Sequence, residues 1–357
     1  MDWRRTTHQL DEQQMEFINN VLQTAPKRYW ISGVAGTGKS LVLLRLAERL
    51  KKLPDSPVVI IATFTNALTK MFEFHANLQG IRVMNIYALE RQKPQCDYLL
   101  IDEFQDVARS TFDSFLQLAR RGVFVGGDLD QQIYAELIEN AGNQTMDQAF
   151  VMSSAFLNRT FTRAYRISRT GVRVSETILG KKFNDIQYES SQDCKYRYTV
   201  ATGPTTHYKL IDEYVTDRQE TGSPVGVLFT KNDDITDYLK FVSPKISVNG
   251  KISRDAPQIN KQLRELGSKY RTLGNDESLV DEAAKQPLTI LSTIHSAKGL
   301  DFDYVAVASL PKKPNKELVY VACSRAKRMT YVISQSPVPL FESGTMRELL
   351  TVIDDDF

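Results

Sequence analysis

Apolar runs of strand length alternate with helix-period patterns along the first part of the chain. "RYWISG" precedes a helical pattern over 40–53, "VVIIATF" one over 66–78, and "YLLID" one over 108–121, after which comes "GVFVGGD". Runs that are apolar throughout, rather than at alternate positions, belong to strands buried on both faces, the situation of a parallel sheet covered by crossover helices. A second series begins after about residue 150, with "PVGVLFT" ahead of a helix over 232–242, then "LTILST", "DYVAVAS", a helix over 316–327 and "MTYVIS". The pattern predicts an α/β chain of two parallel-sheet domains in tandem, 1–150 and 151–357. Residues 243–286, rich in Pro, Gly, Lys and Asp with one helix expected over 256–267, read as an insertion in the second domain. The acidic end "TVIDDDF" reads as frayed.

Composition narrows the function classes. With 357 residues, 42% apolar and 25% charged, the chain has the balance of a folded protein. A net charge of +2, from 45 basic and 43 acidic residues, excludes a protein that holds polyanions by bulk charge, so any nucleic-acid surface must be local. Cys96, Cys194 and Cys323 are odd in number and scattered, which fits a reducing compartment better than a disulfide framework. His8, His75, His207 and His295 are equally dispersed and suggest no zinc site. The opening "MDWRRTTHQLDEQQ" has no apolar core of the signal-peptide kind, and the longest apolar runs are strand-length, so a cytoplasmic protein without a membrane segment is expected.

Two segments carry chemistry by themselves. "GVAGTGKS" at 33–40 fits G-x-x-x-x-G-K-[ST], follows an apolar strand and opens an amphipathic helix. Gly33, Gly36 and Gly38 let backbone N–H groups close around phosphate oxygens at a helix N-terminus. Lys39 then bridges the terminal phosphates and the Ser40 hydroxyl holds Mg²⁺, whereas the bland alternative is a glycine-rich turn with no ligand. "LLIDEFQD" at 99–106 ends a strand in Asp102, placed to reach the magnesium shell, and Glu103, placed to orient or deprotonate water. An acidic strand end merely solvated is the other reading of "DE", and pairing with the phosphate loop argues against it.

With these in hand, the chain resembles the UvrD/Rep-type superfamily 1 helicases, in order from about residue 10 to residue 333. "LDEQQ" at 10–14 is similar to the family's adenine-reading motif, with Gln14 as reader. "ATFTNALTKM" at 62–71 is similar to the segment that lies against single-stranded DNA, which implicates Thr63 and Phe64. "GGDLDQQIY" matches the phosphate-sensing motif, with Gln131 as sensor and Tyr134 near the strand. "AYRIS" at 164–168 resembles an Asn-Tyr-Arg-Ser motif with Ala164 in place of Asn; it gives Tyr165 an adenine-stacking role and Arg166 a phosphate contact. "LSTIHSAKGLDFDYV" at 291–305 resembles the fifth motif, implicating His295 in nucleic-acid contact and Gly299 and Asp301 in the nucleotide site. "YVACSRAK" at 320–327 resembles the sixth, with Arg325 as arginine finger.

The resemblance implies two RecA-like domains with ATP and Mg²⁺ in the cleft between them. Guanidinium groups from the second domain would offset the charge that a phosphate loop leaves uncompensated, which couples hydrolysis to closure. The basic run Arg159, Arg163, Arg166, Arg169, Arg173, Lys181 and Lys182, broken only by Glu176, reads half as solvated face and half as phosphate path.

The chain also departs from that family. Where the sensor motif ordinarily runs into a Trp-bearing segment whose ring stacks on a base, Ile133 and Tyr134 are followed by "AELIENAG", without an aromatic residue until Phe150. Phe64, Tyr134 or His295 is expected to substitute, with Phe64 favoured. The interval between "NIYAL" and "DYLLIDE" is too short for the accessory domain of the first half, and 243–286 too short for that of the second. Two functions are therefore expected. One is an ATP-driven motor moving 3′ to 5′ on single-stranded DNA and unwinding weakly alone. The other is a nucleotide-dependent switch that binds nucleic acid or a partner, such as a separate nuclease, repair or phage-defence protein.

Overall fold

A computed structural model describes residues 10–24, 28–75, 80–189, 193–248, 252–276 and 278–350. The expectations for the opening residues 1–9 and for the end 351–357 lie outside the described residues. The described residues form two compact units: 10–165 with Asp185–Gln187, and Arg166–Asn184 with 188–350.

The first unit holds a six-stranded sheet of β1 (Arg28–Ser32), β2 (Val59–Thr63), β3 (Ile81–Asn85), β4 (Cys96–Asp102), β5 (Ala119–Gly126) and β6 (Phe156–Thr160), in the order β3-β2-β4-β5-β1-β6. Every pairing is parallel. The apolar runs read in the sequence serve both faces. In β2, Ile60 and Ala62 join a core with Trp30, Leu99, Phe104 and Phe112, while Val59 and Ile61 join one with Leu43, Leu46, Leu100 and Phe124. Full burial of each such side chain is worth roughly 1.5–3 kcal/mol, so both helical layers are tied to the sheet.

The unit runs past the boundary expected at residue 150, because β6 pairs with β1 from Arg28↔Phe156 to Ser32↔Thr160. β5 also starts earlier than the run "GVFVGGD" suggests, and the helix before it ends at Leu116. Its charged opening is accommodated at the sheet end, where the Arg121 guanidinium lies 4.8 Å from the centre of the Tyr98 ring and pairs with Asp55.

Two short strands follow, β7 (Arg163–Ala164) and β8 (Gln187–Tyr188). The second unit is built on β9 (Lys195–Val200), β10 (Val225–Phe229), β11 (Tyr270–Thr272), β12 (Thr289–Thr293), β13 (Phe302–Ala308) and β14 (Ala326–Ser334), ordered β11-β12-β10-β13-β14-β9 and parallel throughout. The stretch 243–286 is part of this domain rather than an appendage. Its helix Ile252–Glu265 sends Ile259 and Leu263 into the core, and β11 adds an edge strand along β12. Arg264 and Arg271 both bond Glu282, on the helix Leu279–Lys285, which pins the segment together. The helix expected over 316–327 ends at Cys323, since Ala326 already pairs with Phe302. Among the described residues no helix is long and apolar enough to cross a membrane.

Candidate active site

The phosphate loop springs from the end of β1 and runs into the helix Lys39–Lys51, whose N-cap is Gly38. Gly33 has φ +146°, and a Cβ there would stand 2.6 Å from the Phe161 carbonyl oxygen and 2.8 Å from Thr37 Oγ1, so a larger residue is excluded twice over. The Thr37 hydroxyl donates to the Val34 carbonyl at 3.0 Å. Lys39 Nζ donates to the carbonyls of Gly33 at 2.8 Å and Val34 at 3.1 Å, which folds the ammonium group back over the loop it serves.

Asp102 ends β4, and on the other side of β5 the loop leaves β1, so both meet at the C-terminal edge of the sheet, where α/β folds bind ligands. The fit depends on Gly126 at the end of β5: a Cβ there would lie 2.8 Å from Leu43 Cδ1 and 3.3 Å from Asp102 Oδ1. The Asp102 carboxyl is buried, and its pKa is pushed up to about 7 by burial first and the neighbouring Glu103 charge second. A hydrogen bond with the Ser40 hydroxyl and the charge of Lys39 oppose that rise. Asp102 Oδ2 is buried without a hydrogen-bond partner. An orphaned carboxylate oxygen beside a serine hydroxyl and a lysine fits a hard divalent cation held by oxygen ligands and nucleotide phosphates.

Glu103 follows in left-handed backbone, φ +56°, a conformation costing a non-glycine residue on the order of 1–3 kcal/mol and typical of functional turns. Its carboxylate accepts from Gln105 Nε2 at 2.6 Å. Gln105 is fully buried, and Gly127 packs so closely on it that no side chain fits between. Gln131 Nε2 donates to Asp128 Oδ2 at 3.0 Å. Gln132, one residue on, donates to the Gln105 carbonyl at 2.8 Å, and the Ile133 N–H donates to Asp106 Oδ1 at 3.1 Å, so the 102–106 and 128–133 turns are laced together.

Around the loop the structure joins residues far apart in sequence. Asp11 caps the helix Glu12–Gln23, accepting from the Gln14 N–H at 2.7 Å, while the Gln14 side chain accepts from the Asp11 N–H at 3.2 Å. Gln14 Nε2 donates to the Thr37 carbonyl at 3.1 Å, against Gly38. Tyr165 donates its hydroxyl to Asp11 and its backbone N–H to the Gly36 carbonyl at 3.0 Å. The two expected adenine residues, Gln14 and Tyr165, are thus on one network with the loop. Their link, Asp11, was missed in the sequence, although D-x-x-Q before an apolar helix is a capping-box signal.

The expected strand contacts are placed differently. Thr63 is fully buried, its hydroxyl 2.7 Å from that of Thr69, and Phe64 is only 7% exposed. Phe64 lies under Tyr134, ring centres 4.7 Å apart, and against Tyr87 at 6.1 Å. The ring expected to face a base is thus largely covered within the protein, by Tyr134 and Tyr87.

In the second unit Arg166 pairs with Asp301, bringing together two site residues far apart in the chain; Arg166 Nε is buried without a partner. Gly299, with φ +79°, and half-buried His295 lie on the turn between β12 and β13. Arg325 is buried, with Nε donating to the Val321 carbonyl at 3.0 Å and one terminal nitrogen to Ser324 Oγ at 3.0 Å. Of the basic run, Arg169, Arg173, Lys181 and Lys182 are exposed, Lys182 pairing with Glu176.

Comparison with known proteins adds two domain matches. An AAA domain model matches residues 9–135, and a UvrD-like helicase C-terminal domain model matches residues 245–336. No curated protein matches the chain. Similar solved structures include the Arterivirus nonstructural protein 10 helicase, at 12% identity and TM-score 0.47 over 97% of this chain and 66% of that one. They also include the PRRSV helicase, at 15% and 0.47 over 90% and 54%. A third is a complex of the Arterivirus nonstructural protein 10 helicase with DNA, at 13% and 0.48 over 88% and 62%. The chain thus spans between 54% and 66% of the length of these helicases. Likenesses at these TM-scores carry no argument by themselves; the two domain models do. They fall on the two halves in the order that the motif series has: an AAA domain in the first and a UvrD-like helicase C-terminal domain in the second.

Proposed function

We propose that the chain is an ATP-hydrolysing motor that translocates 3′ to 5′ on single-stranded DNA and unwinds duplex weakly alone. The observation that carries the ATP-hydrolysing part of this reading is the buried Asp102 carboxylate beside Ser40 and Lys39, with Glu103 held next to it by Gln105. Phosphates seated on the loop accept from its backbone N–H groups, and Lys39 exchanges the Gly33 and Val34 carbonyls for phosphate oxygens. Ser40 and Asp102 would hold Mg²⁺, which supplies charge neutralisation at the phosphates when bound. Glu103, fixed by its left-handed turn and by Gln105, orients a water and takes its proton as the water oxygen bonds to the terminal phosphorus and the bond from that phosphorus to the bridging oxygen breaks, releasing ADP.

Gln14 and Tyr165 form the adenine side, tied to the loop through Asp11 and Thr37. Gln131 senses the terminal phosphate, and Arg166 and Arg325 supply guanidinium charge to it. For Arg325 this means exchanging a protein acceptor for a phosphate oxygen. Gly299 and Asp301 shape the turn from which Arg166 is held. The polarity and the DNA preference are the family's. The test is ATP turnover without nucleic acid and with single-stranded DNA, duplex DNA and RNA. Single-stranded DNA should raise the rate most; equal rates in all four, with no strand binding, would overturn the reading.

A further inference from the structure

We propose that Tyr87 is the ring on which this protein stacks a base of single-stranded DNA, in place of the aromatic residue that "AELIENAG" lacks. This rests on the motor reading above and goes beyond it in naming the stacking residue. Tyr87 lies in the first turn of the helix Ile86–Gln92, which follows directly on β3, and the pairing Thr63↔Asn85 sets that turn beside Phe64, the residue after β2. That is the sheet edge on which Asp102 and the phosphate loop stand. Among the described residues the exposed aromatic rings are Tyr87, at 61%, and Tyr188, at 37%; the latter has the Arg169 guanidinium 5.6 Å from its centre.

The ring of Tyr87 is preorganised. Phe64 braces it edge-on at 6.1 Å, and Phe64 is itself clamped by Tyr134 at 4.7 Å. A ring already held in place loses little freedom when a base stacks on it, which favours affinity. Charge points the same way. Partial burial, followed by the carboxylates of Asp106 and Glu90, pushes the Tyr87 hydroxyl pKa up, so the phenol stays neutral in an acidic surround that repels phosphate. A strand passing this point presents its bases rather than its backbone.

The platform also has a physical connection to the chemistry. Asp106, which acts on Tyr87, accepts from the Ile133 N–H, and Tyr134 comes next in the chain. Gln132 donates to the Gln105 carbonyl, and Gln105 holds Glu103. A base that shifts Tyr87 and Tyr134 therefore acts on a turn two hydrogen bonds from the proposed base.

The test is fluorescence anisotropy of an oligo-dT strand and of an abasic strand of equal length with wild type, Tyr87→Ala and Tyr87→Trp. Stacking on one ring is worth about 1–3 kcal/mol per base, so Tyr87→Ala should weaken oligo-dT binding by about 5- to 150-fold. Binding of the abasic strand should stay at the wild-type level, and Tyr87→Trp should restore oligo-dT affinity. Wild-type oligo-dT affinity in Tyr87→Ala would overturn this inference while leaving the motor reading in place. A wild-type protein that binds both strands equally would also overturn it, and one that binds neither would take the motor reading down with it.

Discussion

Gly127→Ala isolates the support of the proposed base from the base itself. A Cβ at residue 127 would stand 2.2 Å from Gln105 Oε1 and 2.7 and 2.9 Å from carbons of the Phe104 ring. Ordinary contacts begin near 3.4 Å, so the methyl group must displace one neighbour by more than an ångström. Phe104 is fully buried against Trp30 and Phe112 and has no room to yield. The backbone at residue 127 must therefore shift off the Phe104 ring and Gln105 must rotate, which breaks its 2.6 Å bond to Glu103 Oε2. Overpacking of this kind costs about 1–3 kcal/mol, or a fall in Tm of roughly 2–12 °C for a domain of this size. Misplacing a reacting group by an ångström costs about 10²-fold, so single-turnover ATP hydrolysis should drop on the order of 10- to 100-fold. Gln105→Ala should lower turnover similarly with no overpacking at Gly127. Gly142→Ala, where the added Cβ meets nothing within 4 Å, should leave turnover unchanged and cost only the strain of φ +75°. A Gly127→Ala protein with wild-type Tm and wild-type turnover would show that Gln105 does not position Glu103.

Lys39→Ala should weaken ATP binding and turnover together, because the ammonium group serves the bound phosphates as well as the transition state; calorimetric titration with a non-hydrolysable analogue checks this. Asp102 has a folded-state pKa of about 7 against 3.8 for the unfolded chain. Between those values the folded protein holds more protons than the unfolded one, so this group makes stability fall as pH rises through the window. Metal-free Asp102→Asn should therefore be more stable than wild type above pH 7, the advantage shrinking toward pH 4; chemical denaturation across that range reads it, and a pH-independent difference would contradict it. Arg166→Ala and Arg325→Ala should each lower turnover by roughly 10³-fold or more with smaller effects on ATP affinity. Near-normal turnover in both would remove these residues from the site.

The phosphate loop, Lys39, Ser40, Asp102 and Glu103 were legible because the chemistry demands contiguous residue types at the end of an apolar strand. Central strands such as β2, β4, β10 and β13 announced themselves as unbroken apolar runs for the same reason, burial on both faces. Edge strands did not. β3 reads Ile-Arg-Val-Met-Asn and β9 Lys-Tyr-Arg-Tyr-Thr-Val, with polar side chains that one open side permits. β11 lay hidden inside what read as an insertion, since its three residues gain their meaning only from β12. Asp11 and Gln105 were overlooked because their partners, Tyr165 and Gly127, are brought to them by the fold. Phe64 was expected to face a base because the motif carries an aromatic residue there. Nothing local in the sequence shows that Tyr134 covers it and that Tyr87, unremarked in "NIYAL", faces solvent instead.

The proposed motor hydrolyses ATP through Glu103 at the edge of the first sheet while other residues bind the nucleotide. Its most direct test is Glu103→Gln, assayed for ATP binding by equilibrium titration and for phosphate release in the presence of single-stranded DNA. Glutamine keeps the size of the side chain and removes the basic carboxylate, so binding should match wild type while phosphate release falls to background. Phosphate release at the wild-type rate would contradict the account.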